Sequence, residues 1–290
     1  MTQVFLVTGS SRGLGREIAE AALAAGHQVV ATARRSEQLA DLVDTYGDQV
    51  RAVALDVTDP RAAEAAVRTA VDAFGRLDVV VNNAGYADLA AIEDVTLDDF
   101  RAQIETNLFG VVTVTKAALP QLRKQGSGHI IQVSSVGGRM ASAGLGAYQS
   151  AKWAVGGFSS VLNQEVAPLG IKVTVLEPGG MRTDWAGSSM AIPAVSAPYE
   201  PTVGERARLI RAGLTTEAGD PAKVARVVLD VAAMAEPPLR LLLGSDAYRY
   251  GTAAGQALAE SDQRWHELSI STDHDEATEA QLHPLGQSAT

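Results

Sequence analysis

One doubly wound parallel α/β sheet of about seven strands, with helices on both faces and a C-terminal extension, is the fold the sequence predicts. Short apolar runs alternate with helical patterns along most of the 290 residues. Those runs are continuous rather than alternately apolar and polar, as in strands covered by helices on both sides. Repeated strand–helix units then impose right-handed crossovers and parallel strands.

Val4 to Val7 is the first strand and stops at Thr8-Gly9. Leu14, Ile18, Ala22 and Ala25 follow at helical spacing, closed by Gly26 as a C-terminal stop. Val29-Val30-Ala31 begins the second strand, Leu39, Leu42, Val43 and Tyr46 mark a second helix, and Val53-Ala54-Leu55 reads as the third strand. Asp59-Pro60 supplies an N-cap and a proline at the first helical position, before Ala63, Val67, Val71 and Phe74 line one face. Strands four to six are Val79 to Val81, Ile130 to Val133 and Val173 to Leu176, with helical stretches around 97–124 and 148–167. Residues 184–202 carry Pro193, Pro198 and Pro201 among Trp185, Met190, Ile192 and Tyr199, with no clean period. So long a connection reads as a binding loop or lid, and otherwise as a surface excursion. Asp220-Pro221 opens another capped helix, and Leu239 to Leu243 makes the last strand.

This organisation predicts one catalytic domain over residues 1–250, with a substrate loop at about 184–215, and an extension over 251–290. Between Leu258 and Thr290 there are seven acids against the single base Arg264, so that stretch alone carries −6. From about His266 it is expected to fray. The whole chain carries −10, which disfavours a nucleic-acid backbone as partner. Hydrophobic residues at 46% and charged residues at 20% fit a packed globular protein. The absence of Cys excludes a disulfide scaffold, a thiolate zinc site and a catalytic thiol. With no membrane-length apolar run and no basic leader before Val4, the chain reads as soluble and cytoplasmic. None of the five His forms a ligand-spaced cluster, so no metal is expected and each reads as a surface or capping residue.

The chemistry begins where the first strand ends. Thr8 to Gly15 reads TGSSRGLG, a strand-to-helix turn in which Gly9, Gly13 and Gly15 allow close backbone approach and the helix N-terminus offers free N–H groups to a pyrophosphate. The spacing is G-x-x-x-G-x-G, which alone is also an ordinary structural turn. About 20 residues on, a carboxylate would meet the ribose 2′-hydroxyl of NAD. Here Ala33 is followed by Arg34 and Arg35, and Arg12 stands in the glycine loop, so a 2′-phosphate is favoured and the cofactor is read as NADP(H). The alternative for these arginines is a solvated turn.

Tyr148 and Lys152 stand at i and i+4, on one helix face. A cation near a phenol favours the phenolate and is expected to draw the Tyr148 pKa down from about 10. A lone pair at this spacing is more often a surface pair. Here Ser135 ends the fifth strand, Asn107 sits in the preceding helix, and Pro178-Gly179-Gly180-Met181-Arg182-Thr183 follows the sixth strand. Suitable groups at several strand ends of one sheet are hard to explain as packing.

On these residues, together with Asp56-Val57 and Asn82-Asn83-Ala84-Gly85, the sequence resembles the short-chain dehydrogenase/reductase family over about residues 3–245, and within it the hydroxysteroid-dehydrogenase-like and carbonyl reductase branch. The resemblance implies a Rossmann-type fold in which Gly9, Ser11, Arg12, Gly13, Leu14, Gly15 and Arg34 bind the cofactor. It also implies that Asp56 and Val57 contact the adenine, and that Asn83, Ala84 and Gly85 flank the adenosine ribose. Pro178 and Gly179 would line the nicotinamide end, with Met181 and Thr183 holding its amide. Tyr148 would be the general acid–base, Lys152 would hold the nicotinamide ribose and tune Tyr148, Ser135 would polarise the carbonyl, and Asn107 would support a proton-relay water. The implied assembly is a homodimer or homotetramer built on the helices around 107–124 and 148–167.

The reading is therefore an NADP(H)-dependent oxidoreductase interconverting a ketone or aldehyde with an alcohol. A reductase of a β-ketoacyl thioester or other activated carbonyl is the alternative, and a non-catalytic NADP-binding regulator is the alternative of another class. Tyr86, Met140, Leu145 and Trp185 lie near the strand ends and suggest a small, mainly apolar substrate, each being otherwise a packing residue.

Overall fold

The computed structural model describes residues 2–182, 190–214 and 217–284. Seven strands form one sheet in the order β3-β2-β1-β4-β5-β6-β7, and every neighbouring pair is parallel. They are β1 (Val4–Val7), β2 (Gln28–Ala33), β3 (Val50–Ala54), β4 (Val79–Asn82), β5 (Gly128–Val133), β6 (Ile171–Pro178) and β7 (Arg240–Leu243). Successive strand residues face opposite sides. Phe5, Val7, Val29 and Ala31 therefore pack under α1 (Gly13–Ala24) and α8 (Pro221–Ala233), through Ile18, Ala22, Val224 and Val228. Val4, Leu6, Val30 and Val80 pack on the other face against α3 (Pro60–Phe74), α5 (Gly110–Gln125) and α6 (Gly146–Val166). Burial on both faces is why the strand sequences show no alternation.

Local signals start these helices. The Asp59 carboxylate accepts from the Arg61 and Ala62 N–H groups ahead of α3, and Asp220 does the same for Ala222 and Lys223 ahead of α8, each with proline next in the chain. Strand order reverses between β1 and β4, so the crevice at the carboxyl ends of the sheet opens there.

Several elements differ from the sequence expectation. β3 begins at Val50, because Arg51 and Ala52 pair with Val30 and Ala31 in the ladder of an edge strand whose outer residues need not be apolar. The stretch around 97–124 is α4 (Leu97–Ile104), a π-turn over Glu105–Phe109, and α5. In the long connection, Ala197–Tyr199 and Glu200–Gly204 form short turns that lead into α7 (Glu205–Arg211). The C-terminal extension begins in α9 (Ser245–Arg264), and the described residues from His266 include the short helices α10 (His266–Ile270) and α11 (Glu279–Leu282). Only Ala247 and Gly251 of α9 are buried, so a helix resting mainly on local propensity left little apolar pattern to read. The chain divides into compact units of Met1–Gly251 and Thr252–Thr290. No described helix is long and apolar enough to cross a membrane.

His129, expected at the surface, is buried on β5. Thr174 donates its hydroxyl proton to the Pro238 carbonyl at 2.8 Å, so His129 Nε2 must be the donor in its 2.9 Å contact with Thr174 Oγ1. Nδ1 is then an unpartnered lone pair in an apolar setting, and burial pushes the imidazole pKa down to about 4. The stability that this depressed value contributes is complete above pH ~6.5 and is lost as pH falls from there toward 4, about 3 kcal/mol in all. Urea unfolding at pH 7, 5.5 and 4.5 is expected to show that loss, and His129→Gln, which keeps the Thr174 contact, to flatten it. An equal slope in the variant would remove His129 as the cause.

Candidate active site

A cleft of about 1140 Å³ runs along the carboxyl ends of the strands. At one end lie Gly9, Ser11, Arg12, Gly13 and Leu14 with Arg34, Arg35, Asp56 and Val57. Asn83, Ala84, Gly85 and Tyr86 form its floor, and Ser135, Met140, Leu145, Tyr148, Lys152, Pro178, Gly179 and Met181 close the other end with Asn107. Gly15 is not on the wall. A Cβ there would collide with both the Gly9 carbonyl and Asn83 Nδ2, so its role is to let α1 pack onto the loop that precedes it. Thr183 and Trp185 lie outside the described residues.

The glycine loop is tied to the β4 end. Thr8 Oγ1 accepts from the Asn83 and Ala84 N–H groups at 2.9 and 3.0 Å, and Asn83 Nδ2 donates to the Thr8 carbonyl at 2.9 Å. Asp56 Oδ1 accepts from the Thr58 N–H and hydroxyl within its own turn, at 3.0 and 2.7 Å. Those bonds, helped by the charge of Arg34, hold its carboxyl below the usual range. Arg34, Arg35 and Arg12 are exposed around a pocket end with no carboxylate at the tip of β2.

Asn107 is fully buried inside the π-turn. Its Nδ2 donates to the Tyr86 and Gln103 carbonyls at 2.8 and 2.9 Å, while Oδ1 accepts the Tyr86 N–H at 3.2 Å. The extra residue of a π-turn re-aims the helix face and is common at functional sites. Here it locks Asn107 to the cleft floor.

Ser135 caps the turn Val136–Gly138 by accepting the Gly137 N–H at 3.0 Å. Its hydroxyl also hydrogen-bonds the Tyr148 phenol. Tyr148 and Lys152 follow one another along α6, and Lys152 Nζ stands 5.5 Å from the Tyr148 ring centroid and donates to the Val133 carbonyl at 2.9 Å. Here the sequence expectation is corrected. Burial raises the phenol to about 12, outweighing the opposing bond from Ser135, and lowers Lys152 to about 8. Desolvation penalises both charged forms, and for the phenol that penalty exceeds what its neighbours give back. Tyr148 is thus held as an acid with its proton in place.

Behind these groups lies an ion triad that the sequence did not reveal. The fully buried Glu177, next to Pro178, accepts from Arg139 Nε at 2.7 Å and from Arg240 Nε at 3.0 Å. Arg139 follows the Ser135 turn directly, so the carboxylate ties that turn to β6 and β7.

Residues 3–191 match the short chain dehydrogenase family, and the chain belongs to it. It is therefore an oxidoreductase of the class that acts on alcohol and carbonyl groups. Its relatives include oxidoreductase BOA17 of Botryotinia fuckeliana, 59% identical over 94% of this chain and 100% of that one. A short-chain dehydrogenase from Streptomyces avermitilis superimposes with a TM-score of 0.88 at 39% identity, covering 94% of this chain and 100% of its own. Serine dehydrogenase in its closed form, complexed with NADP+, gives a TM-score of 0.72 at 28% identity over 83% and 94% of the two chains.

Proposed function

We propose that this chain is an NADP(H)-dependent oxidoreductase interconverting a ketone or aldehyde with an alcohol, its catalytic unit spanning residues 1–250. The observation that carries the proposal is the meeting of Ser135, Tyr148 and Lys152 in one cleft whose other end is ringed by arginines. The NADP+ complex of serine dehydrogenase supports the cofactor. So does the donor set. The glycine loop presents backbone N–H groups at the start of α1, and Arg12 and Arg34 offer guanidinium groups suited to a 2′-phosphate.

When bound, the nicotinamide supplies or accepts the hydride. The protein's part is to place the carbonyl oxygen between two hydroxyls. Ser135 donates a hydrogen bond to that oxygen as negative charge develops, and Tyr148 transfers its proton to the same atom, leaving an alcohol. A phenol pKa of about 12 keeps this proton available throughout the neutral range. Lys152, charged below pH ~8, stabilises the phenolate left behind and offers N–H donors to the cofactor ribose. Asn107 fixes the floor at Tyr86 and thereby the depth of the pocket.

The test is oxidation of NADPH and of NADH against a panel of ketones and aldehydes. Turnover is expected to favour NADPH, and Arg34→Asp to lower that preference by about 10- to 100-fold through loss of a charge-assisted contact. Equal use of both cofactors by the wild type would overturn the NADP assignment. Tight NADPH binding without turnover of any carbonyl would favour the regulator reading.

A further inference from the structure

α7 carries three arginines, and two of them serve the protein's own structure. Arg208 pairs with Glu200 at 2.7 Å, and Arg211 donates to the Ile192 carbonyl at 2.9 Å. Arg206 is different. It is half-buried in the wall of the cleft that holds Tyr148, and no described residue forms an ion pair or hydrogen bond with it. Val203 and Ala207, on either side of it, pack in one apolar cluster with Leu145, Tyr148, Leu89 and Met190.

The acids that share this cleft do not serve Arg206. Asp88 accepts the Ala191 N–H at 2.9 Å, Asp56 is held by Thr58, Glu217 lies against Gly180, and Glu105 makes no ion pair or hydrogen bond with Arg206. Burial makes Arg206 a less favourable proton holder than an ordinary guanidinium, with no neighbouring charge offsetting the cost. A half-buried guanidinium without a partner is expensive, and an oxyanion is its natural complement.

Resting on the reductase reading, we infer that Arg206 binds an anionic group of the substrate, so that the substrate is a carbonyl compound with an apolar body and a carboxylate or phosphate. The apolar side chains of Met140 and Leu145 in the cleft wall accept the body, Tyr148 and Ser135 take the carbonyl oxygen, and the guanidinium takes the anion. Arginine suits either oxyanion through paired N–H donors. The cofactor's own phosphates are served by the glycine loop, Arg12 and Arg34 at the other end of the cleft.

The experiment compares kcat/KM for matched substrates of one carbon skeleton: a keto acid, its methyl ester, and the corresponding keto phosphate. The wild type is expected to favour the acid or the phosphate over the ester, and whichever is preferred identifies the anion. Arg206→Met should reduce that ratio by about 10- to 100-fold, chiefly through KM, and Arg206→Lys should restore part of it. An acid-to-ester ratio near one, unchanged in Arg206→Met, would overturn the inference and leave the reductase reading standing. If no carbonyl turns over, the reductase reading falls and binding decides alone. Titration of the NADP+-loaded protein with the keto acid and keto phosphate, read by tryptophan fluorescence, should then show about tenfold or more weaker affinity in Arg206→Met. Equal affinities would overturn the inference.

Discussion

Tyr148→Phe is expected to lower kcat for carbonyl reduction by about 10²- to 10⁴-fold while leaving NADPH affinity within a few-fold of wild type. The phenol ring is buried among Leu145, Ala87 and Leu89, and the substitution removes only the hydroxyl, so packing survives. What is lost is the proton donor at the carbonyl oxygen. Ser135 still donates a hydrogen bond, but it has no path to replace a full proton transfer. Ser135→Ala should therefore cost less in kcat, on the order of 10²-fold.

The pH profile separates the two titrating groups. Tyr148 has its pKa raised to about 12 and remains protonated throughout the accessible range, so it contributes no limb in the reducing direction. Lys152 has its pKa lowered to about 8, so the ammonium is complete well below that pH and is lost as pH rises through it. kcat/KM, which reports the free enzyme, should accordingly fall above pH ~8. Lys152→Arg should move that limb upward or abolish it. A limb at the same place in Lys152→Arg would assign it elsewhere, and near-wild-type turnover in Tyr148→Phe would end the role given to the phenol.

Which parts of this site the sequence discloses follows a physical division. Helix starts at Asp59-Pro60 and Asp220-Pro221, the glycine turn, and the i, i+4 pairing of Tyr148 with Lys152 are encoded in neighbouring residues, and local spacing is what a sequence displays. Long-range consequences are not displayed. The spacing of Tyr148 and Lys152 suggests a cation lowering a phenol, whereas the depth of burial, which only the packed structure fixes, reverses the direction. Glu177 reads as one polar residue at the end of a strand, and nothing nearby announces Arg139 and Arg240, which arrive from β5's exit turn and from β7. Arg206 is hidden for the same reason among the arginines of α7. His129 precedes an apolar run and looks like its solvated edge, until β6 covers it through Thr174.

Glu177→Ala is the substitution expected to cost most stability, about 3–5 kcal/mol, equivalent to a melting temperature lowered by about 6–20 °C for a unit of this size. The carboxylate has no solvent exposure, whereas the side chains of Arg139 and Arg240 retain 28% and 32% of theirs. Removing the acid thus leaves two like charges facing a void they cannot fully leave. Arg240 is confined from above as well. A Cβ on Gly156 of α6 would lie 3.0 Å from one of its terminal nitrogens, so the guanidinium is packed beneath the helix that carries Tyr148 and Lys152. Glu177→Gln, isosteric but uncharged, keeps an oxygen for one arginine and should lose about half as much. Replacing all three residues by apolar ones (Glu177→Leu with Arg139→Met and Arg240→Leu) should recover much of the stability, since a matched apolar core avoids the desolvation cost. Activity would separate the triad's two consequences. With Arg139 released, the Ser135 turn loses its tether to β6, so the triple variant should fold well and yet show reduced kcat with KM for the cofactor little changed. Thermal unfolding together with kcat measured on the three variants decides the matter. A melting temperature in Glu177→Ala within about 2 °C of wild type would show that the arginines find water on losing the acid, and wild-type kcat in the triple variant would show that the Ser135 turn holds its shape without them.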